Sequence, residues 1–138
     1  MTKLNKKGGF MSNFKDVEDF IVKYEVPYFK NPGFLDLETL KFRINFMEEE
    51  LNEFKDSCSD SNLEGMADAL IDLVYVAMGT AKMMGLPWEA LWEEVHSCNM
   101  KKIKVSNISD SKRKSPIDVV KPKDWKQPDI KKILKESI

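Results

Sequence analysis

This chain has little of what most metal and redox chemistry uses. It contains one histidine, His96, and two cysteines, Cys58 and Cys98. The cysteines match no zinc-binding spacing, and without an export signal they read as reduced thiols of a cytoplasmic protein. An excess of charge is also missing: 22 Lys and Arg against 23 Asp and Glu leave a net charge of −1. That balance draws in neither nucleic acid nor an anionic membrane surface. No apolar run reaches the ~18 residues of a bilayer span; Asp72 breaks the segment 69–81. The basic stretch MTKLNKKGGF has no apolar core after it, so residues 1–12 read as a flexible lead rather than a signal peptide. Strand signals are absent too, since no stretch sustains an alternation of period two between turns.

What is there is helical. The first segment, about 14–26, has Ser12 or Asn13 as N-cap and Pro27 beyond its end. After a loop over 27–35, Asp36 caps a second helix running to about Asp56, with Glu38 in its first turn. The polar knot SCSDSN (57–62) makes a short turn, and Ser61 or Asn62 caps the third helix. Gly85 ends that helix and Pro87 opens the fourth, PWEALWEEVHSCNMKKI. Beyond Val105, SNISDSKRKSP is polar and aperiodic, hence loop or disorder, before one short helix from Pro128. Length and pattern predict an all-α protein, most simply a bundle with short connections.

Acids stand where apolar residues should. The third helix carries Glu64, Asp68 and Asp72 at i, i+4 and i+8 in a segment otherwise almost wholly apolar. A helix apolar all round is a buried one, and buried carboxylates are costly unless paired, hydrogen-bonded or metal-bound. On the second helix Leu37, Leu40, Ile44, Met47, Leu51 and Phe54 form the predicted core stripe, while Phe42 and Phe46 lead into Glu49, Glu50 and Glu53. Alone, those three acids read as a solvated surface cluster. Opposite a second acid stripe, on a helix that a short turn makes antiparallel, they read as a cation site. Oxygen ligands without Cys or His select Mg²⁺, with Mn²⁺ the alternative, and such a site suits phosphate chemistry.

The sequence Glu49-Glu50-Leu51-Asn52-Glu53 reads as EExxE, followed by an acid-bearing apolar helix and then by EVHSCNMKK (94–102). In this order the motifs resemble the MazG-like and phosphoribosyl-ATP pyrophosphohydrolase-like superfamily of all-α nucleoside triphosphate pyrophosphohydrolases. The resemblance covers about 14–104, and KPKDWKQPDI (121–130) is similar to the tail of one branch. It implies a four-helix-bundle-like pyrophosphohydrolase fold over 13–104 with an extended C-terminal tail over 105–138. The family pattern is EExxE then ExxD, its acids holding Mg²⁺. Carried over, Glu50 and Glu53 match the first motif and Asp68 the aspartate of the second. Gly65 stands where the second motif has glutamate. Glu64 or Asp72 is left to supply that ligand, and Asp72 is favoured for its more apolar surroundings. Glu49 or Glu50 is then the candidate to orient or deprotonate the attacking water. Asn99 and Lys102 match the family's phosphate-contacting Asn-x-x-Lys; Lys102 equally suits a helix C-terminus, where cations are favoured anyway.

The expected activity is Mg²⁺-dependent cleavage of a nucleotide to its monophosphate and pyrophosphate, with a homodimer or homotetramer implied by the family. The generic apolar residues Phe34, Phe42, Phe46 and Tyr75 are the candidate pocket. Glu93 and His96 form Glu-x-x-His, but a di-iron bundle needs two such pairs and there is one histidine. Trp88 and Trp92, at i and i+4, suit core or subunit contact better than base stacking. The competing class is a non-catalytic helical interaction module whose acids are a solvated face or meet a basic partner.

Overall fold

The computed structural model describes residues 3–4 and 10–138, with side chains from Ser12 onward. Much of the lead expected at 1–12 lies outside the described residues; within it, β1 (Lys3–Leu4) pairs antiparallel with β2 (Phe10–Met11). Five helices follow: α1 (Asn13–Lys23), α2 (Leu37–Ser59), α3 (Leu63–Met83), α4 (Trp88–Asn99) and α5 (Ile130–Glu136). The class is all-α and helical-bundle-like with a C-terminal tail, as expected. Two compact units divide the chain, residues 1–88 and 89–138.

In the first unit, Phe14, Val17 and Ile21 recur at three and four along α1 and bury one face of it against Met78, Ala81 and Met83 of α3. Trp88 stacks on Phe14 with ring centroids 5.5 Å apart. The loop between α1 and α2 is tied to the end of α3, Phe29 N–H donating to the Met83 carbonyl and Gly33 N–H to that of Met84. Gly85 follows α3 at φ +69, and a Cβ there would lie 2.5 Å from the Asn31 carbonyl oxygen. Only glycine meets both conditions. Asp36 caps α2 by accepting from Thr39 N–H at 2.8 Å, and Asn62 caps α3 by accepting from Gly65 N–H at 3.0 Å.

The α2 stripe departs from expectation. Leu40, Met47 and Phe54 are half-buried, but Leu37, Ile44 and Leu51 are exposed, and the buried residues of α2 are Arg43 and Glu50. The helix is rotated so that Arg43 meets α3, its Nε donating to Thr80 Oγ1 (3.0 Å) and its NH2 to the Val76 carbonyl (2.9 Å). Gly79 makes the room, since a Cβ there would stand 2.7 Å from that NH2. Nor is α3 buried all round. Most of its buried residues lie toward the C-terminal end, from Val76 to Met83, whereas Leu63, Leu70, Ile71 and Val74 are exposed.

The second unit is more ordered than its polar sequence suggests. β3 (Ile103–Lys104) pairs antiparallel with β4 (Val119–Val120), a ladder too short to show as alternation. Between them the stretch expected as loop or disorder folds around Ser111, which is 1% exposed and donates to Asp118 at 2.7 Å. Trp125 Nε1 donates to the Cys98 carbonyl at 2.7 Å, and Asp129 caps α5 at Lys132 N–H.

Candidate functional site

The candidate acids sit on the α2–α3 hairpin, where the short turn at 60–62 sets two long helices side by side. Among them Glu50 is the buried one, 7% exposed, and its Oε2 has no hydrogen-bond partner among the described residues. A buried carboxylate oxygen without a donor costs free energy that something must offset. Burial pushes the Glu50 carboxyl above the usual carboxylate range, and the charges of Glu53, Asp72 and, less strongly, Glu49 push it further. Four carboxylates from two helices thus act on one another here. Asp72 is half-buried, while Glu49, Glu53, Asp68 and Glu64 are exposed.

This corrects the premise on which the third-helix stripe stood out. Asp68 faces solvent, so burial does not demand a partner for it; the demand falls on Glu50, one helix earlier. Asp72 is the α3 carboxylate acting on Glu50, and Asp68 is not among those that do. Among the described residues no three or more His, Cys, Asp and Glu are drawn together closely enough to hold a metal ion as they stand. Glu50, Glu53 and Asp72 nevertheless suit a hard divalent cation. They offer oxygen alone, the charges of Glu53 and Asp72 act on Glu50, and Glu50 Oε2 lacks a donor. Arg43, two turns before Glu50, is the cation on that face, and two of its donors are committed to α3.

Gly65 has a local cause. A Cβ there would lie 2.5 Å from Ser57 Oγ and 2.6 Å from Asn62 Nδ2, so a glutamate would displace the side chain that caps α3. A side chain at position 65 therefore competes with the Asn62 cap and the Ser57 hydroxyl for the same space.

The apolar candidates do not gather into one pocket. Phe42 and Phe46 meet edge to face at 6.0 Å, Tyr75 sets its ring against Phe20 at 5.5 Å, and Phe34 is 94% exposed. Trp88 takes the core role expected of it, whereas Trp92 is largely exposed.

Asn99 and Lys102 belong to the second unit. Asn99 ends α4 and is exposed; Lys102, half-buried, sets Nζ 5.4 Å from the Trp125 ring centroid. Lys102 also lines a cavity of about 590 Å³ with Asp110, Lys112, Arg113, Asp118, Val119, Val120 and Lys121. Of these cations the sequence singles out Lys102 alone, not Lys112, Arg113 or Lys121. Their one signal is that Lys102 and Lys121 flank the short apolar pieces that become β3 and β4.

Compared with known protein families, residues 28–99 match the one described as phosphoribosyl-ATP pyrophosphohydrolase. The match takes in the α2 acids, the whole of α3 and Asn99, and stops short of Lys102. No curated protein matches the chain.

Proposed function

We propose that this chain, which belongs to the phosphoribosyl-ATP pyrophosphohydrolase family, is a Mg²⁺-dependent enzyme that cleaves a nucleoside triphosphate between its α- and β-phosphates. Membership makes it a pyrophosphohydrolase, a hydrolase of phosphoric anhydride bonds. The observation that supports the finer reading is the buried Glu50 carboxylate, its Oε2 without a donor, pressed upon by Glu53, Asp72 and Glu49.

Glu50, Glu53 and Asp72 would hold the ion, with Asp68 one turn before Asp72 as a further ligand. When bound, the ion supplies charge to neutralise the phosphate oxygens and lowers the pKa of a coordinated water. The chain's own work is positioning and proton transfer. Glu49 or Glu50 takes the proton of the attacking water as its oxygen bonds to the α-phosphorus. The α,β-bridging oxygen leaves with pyrophosphate, and the nucleoside monophosphate remains.

The exposed apolar stripes of α2 and α3 support a homodimer or homotetramer. Leu37, Ile44 and Leu51 recur every seven residues, the spacing of a helix–helix seam. A second copy laid there removes Ile71, 68% exposed, and its neighbours from water. No described helix is long and apolar enough to cross a membrane, and we place the enzyme in the cytoplasm.

A second reading, with phosphoribosyl-ATP as substrate, is favoured by the description of the matching family. One experiment covers both. The protein is incubated with a panel of ribo- and deoxyribonucleoside triphosphates and phosphoribosyl-ATP, with Mg²⁺ or with chelator, and pyrophosphate is resolved from orthophosphate. Metal-dependent pyrophosphate release is expected. Its absence with every substrate, together with a melting temperature indifferent to Mg²⁺, would favour the non-catalytic interaction module.

A further inference from the structure

The β3–β4 ladder carries an unexplained pair of like charges. Ile103 pairs with Val120 and Lys104 with Val119, so the next position outward sets Lys102 opposite Lys121. Like charges directly across a ladder destabilise it. Both ammonium groups lean over one indole, Lys102 Nζ at 5.4 Å and Lys121 Nζ at 4.8 Å from the Trp125 ring centroid. That ring is fixed by its own hydrogen bond to the Cys98 carbonyl. Attraction to the ring face offsets part of the repulsion and holds two cations at the rim of the same cavity.

The rest of the lining points the same way. Lys112 and Arg113 bring two more cations to it, against the carboxylates of Asp110 and Asp118. Asp118 is already occupied: it accepts from Ser111 Oγ, Val119 N–H and the Arg113 guanidinium. Its acidity follows, with the pKa lowered to about 2, mostly by Arg113 and then Ser111. Asp118 therefore acts as the anchor of Arg113 in the wall. The cavity keeps a net positive charge within a chain whose net charge is −1. At about 590 Å³ it is of the size that takes small-molecule ligands.

We propose that Lys102, Lys112, Arg113 and Lys121 form a binding site for a condensed phosphate, either the polyphosphate arm of a nucleotide or released pyrophosphate. The choice of condensed phosphate over another small polyanion rests on the pyrophosphohydrolase reading. The cation count and the cavity do not. Several point charges spread around a cavity suit an oligophosphate, which presents charge along its length. A nucleic-acid groove would require basic surface extending well beyond this cavity, on a chain that as a whole is slightly acidic.

The test is titration calorimetry of inorganic tripolyphosphate, pyrophosphate and a non-hydrolysable nucleoside triphosphate into the full chain, in chelator so that the acid hairpin is silent. One tripolyphosphate site is expected, weakening as salt is raised. Lys112→Gln and Lys121→Gln should each weaken it by about fivefold. Lys121→Gln should leave the ligand-free melting temperature unchanged or raised, since it removes the like-charge pair, while cutting the rise that tripolyphosphate induces. Tighter binding of the nucleotide analogue than of pyrophosphate assigns the site to substrate, and the reverse order to product. Failure of the wild type to bind, wild-type affinity in both variants, or tighter binding of a single-stranded oligonucleotide would overturn the proposal. Glu50→Gln separates the two readings: it should bind tripolyphosphate normally yet release no pyrophosphate.

Discussion

Glu50 is the residue whose burial makes least sense without function. In chelator, Glu50→Gln removes a buried charge and its repulsion with Glu53, Asp72 and Glu49, so urea denaturation should show a gain in stability. In Mg²⁺ the same variant should lose turnover. A variant both inactive and less stable in chelator would make Glu50 a structural residue. Asp118 gives the opposite sign. Its folded pKa, about 2, lies below the ordinary 3.8, so its contribution to stability is present above 3.8 and disappears as pH falls toward 2. Asp118→Asn should flatten acid unfolding across that window, read by circular dichroism. Sequence found the acids but misjudged which is buried. EExxE is visible as a pattern. The rotation of α2 that hides Glu50 and exposes Asp68 on α3 is set by Arg43 reaching the Val76 carbonyl and Thr80. No helical periodicity encodes that, because an arginine ordinarily reads as surface.

Among the elements, the α2–α3 hairpin shows how far helix grammar carries. Asp36 and Gly85 were legible as helix ends, and the α3 cap was narrowed to Ser61 or Asn62, because caps act through local chemistry. The ladder of β3 and β4 was not, since two residues a side leave no pattern to read. The turn also decides a question the motif leaves open. Gly65→Glu rebuilds the family's ExxD on paper, but its side chain must displace Asn62 from the cap and crowd Ser57. The expected result is a loss of about 1–2 kcal/mol in urea denaturation with no gain in kcat. A more active and equally stable variant would show that the turn can open. Gly79→Ala probes the other contact of the hairpin. It drives a methyl toward Arg43 NH2, which two hydrogen bonds hold in place, and should cost about 1–3 kcal/mol by the same measurement.

For the whole molecule, the mistaken core stripe is itself informative. Leu37, Ile44 and Leu51 read as core because they are apolar at helical spacing, and within one chain they are exposed. The same holds for Leu63, Leu70, Ile71 and Val74 on α3. Within the first unit α1, at 11 residues, packs on Met78, Ala81 and Met83, toward the C-terminal end of α3. A pattern that looks like core but lacks a partner within the chain is what a core shared between copies would produce. Ile71→Asp should therefore convert a sedimenting dimer or tetramer into a monomer. It should retain helical circular dichroism, because position 71 packs little within its own chain. Turnover should fall with assembly if a nucleotide pocket needs helices from two copies, and the loss should follow the monomer fraction as protein is diluted. A wild-type chain that sediments as a monomer at every concentration, or an Ile71→Asp variant that still assembles, would leave these stripes to a different partner and confine the site to one hairpin.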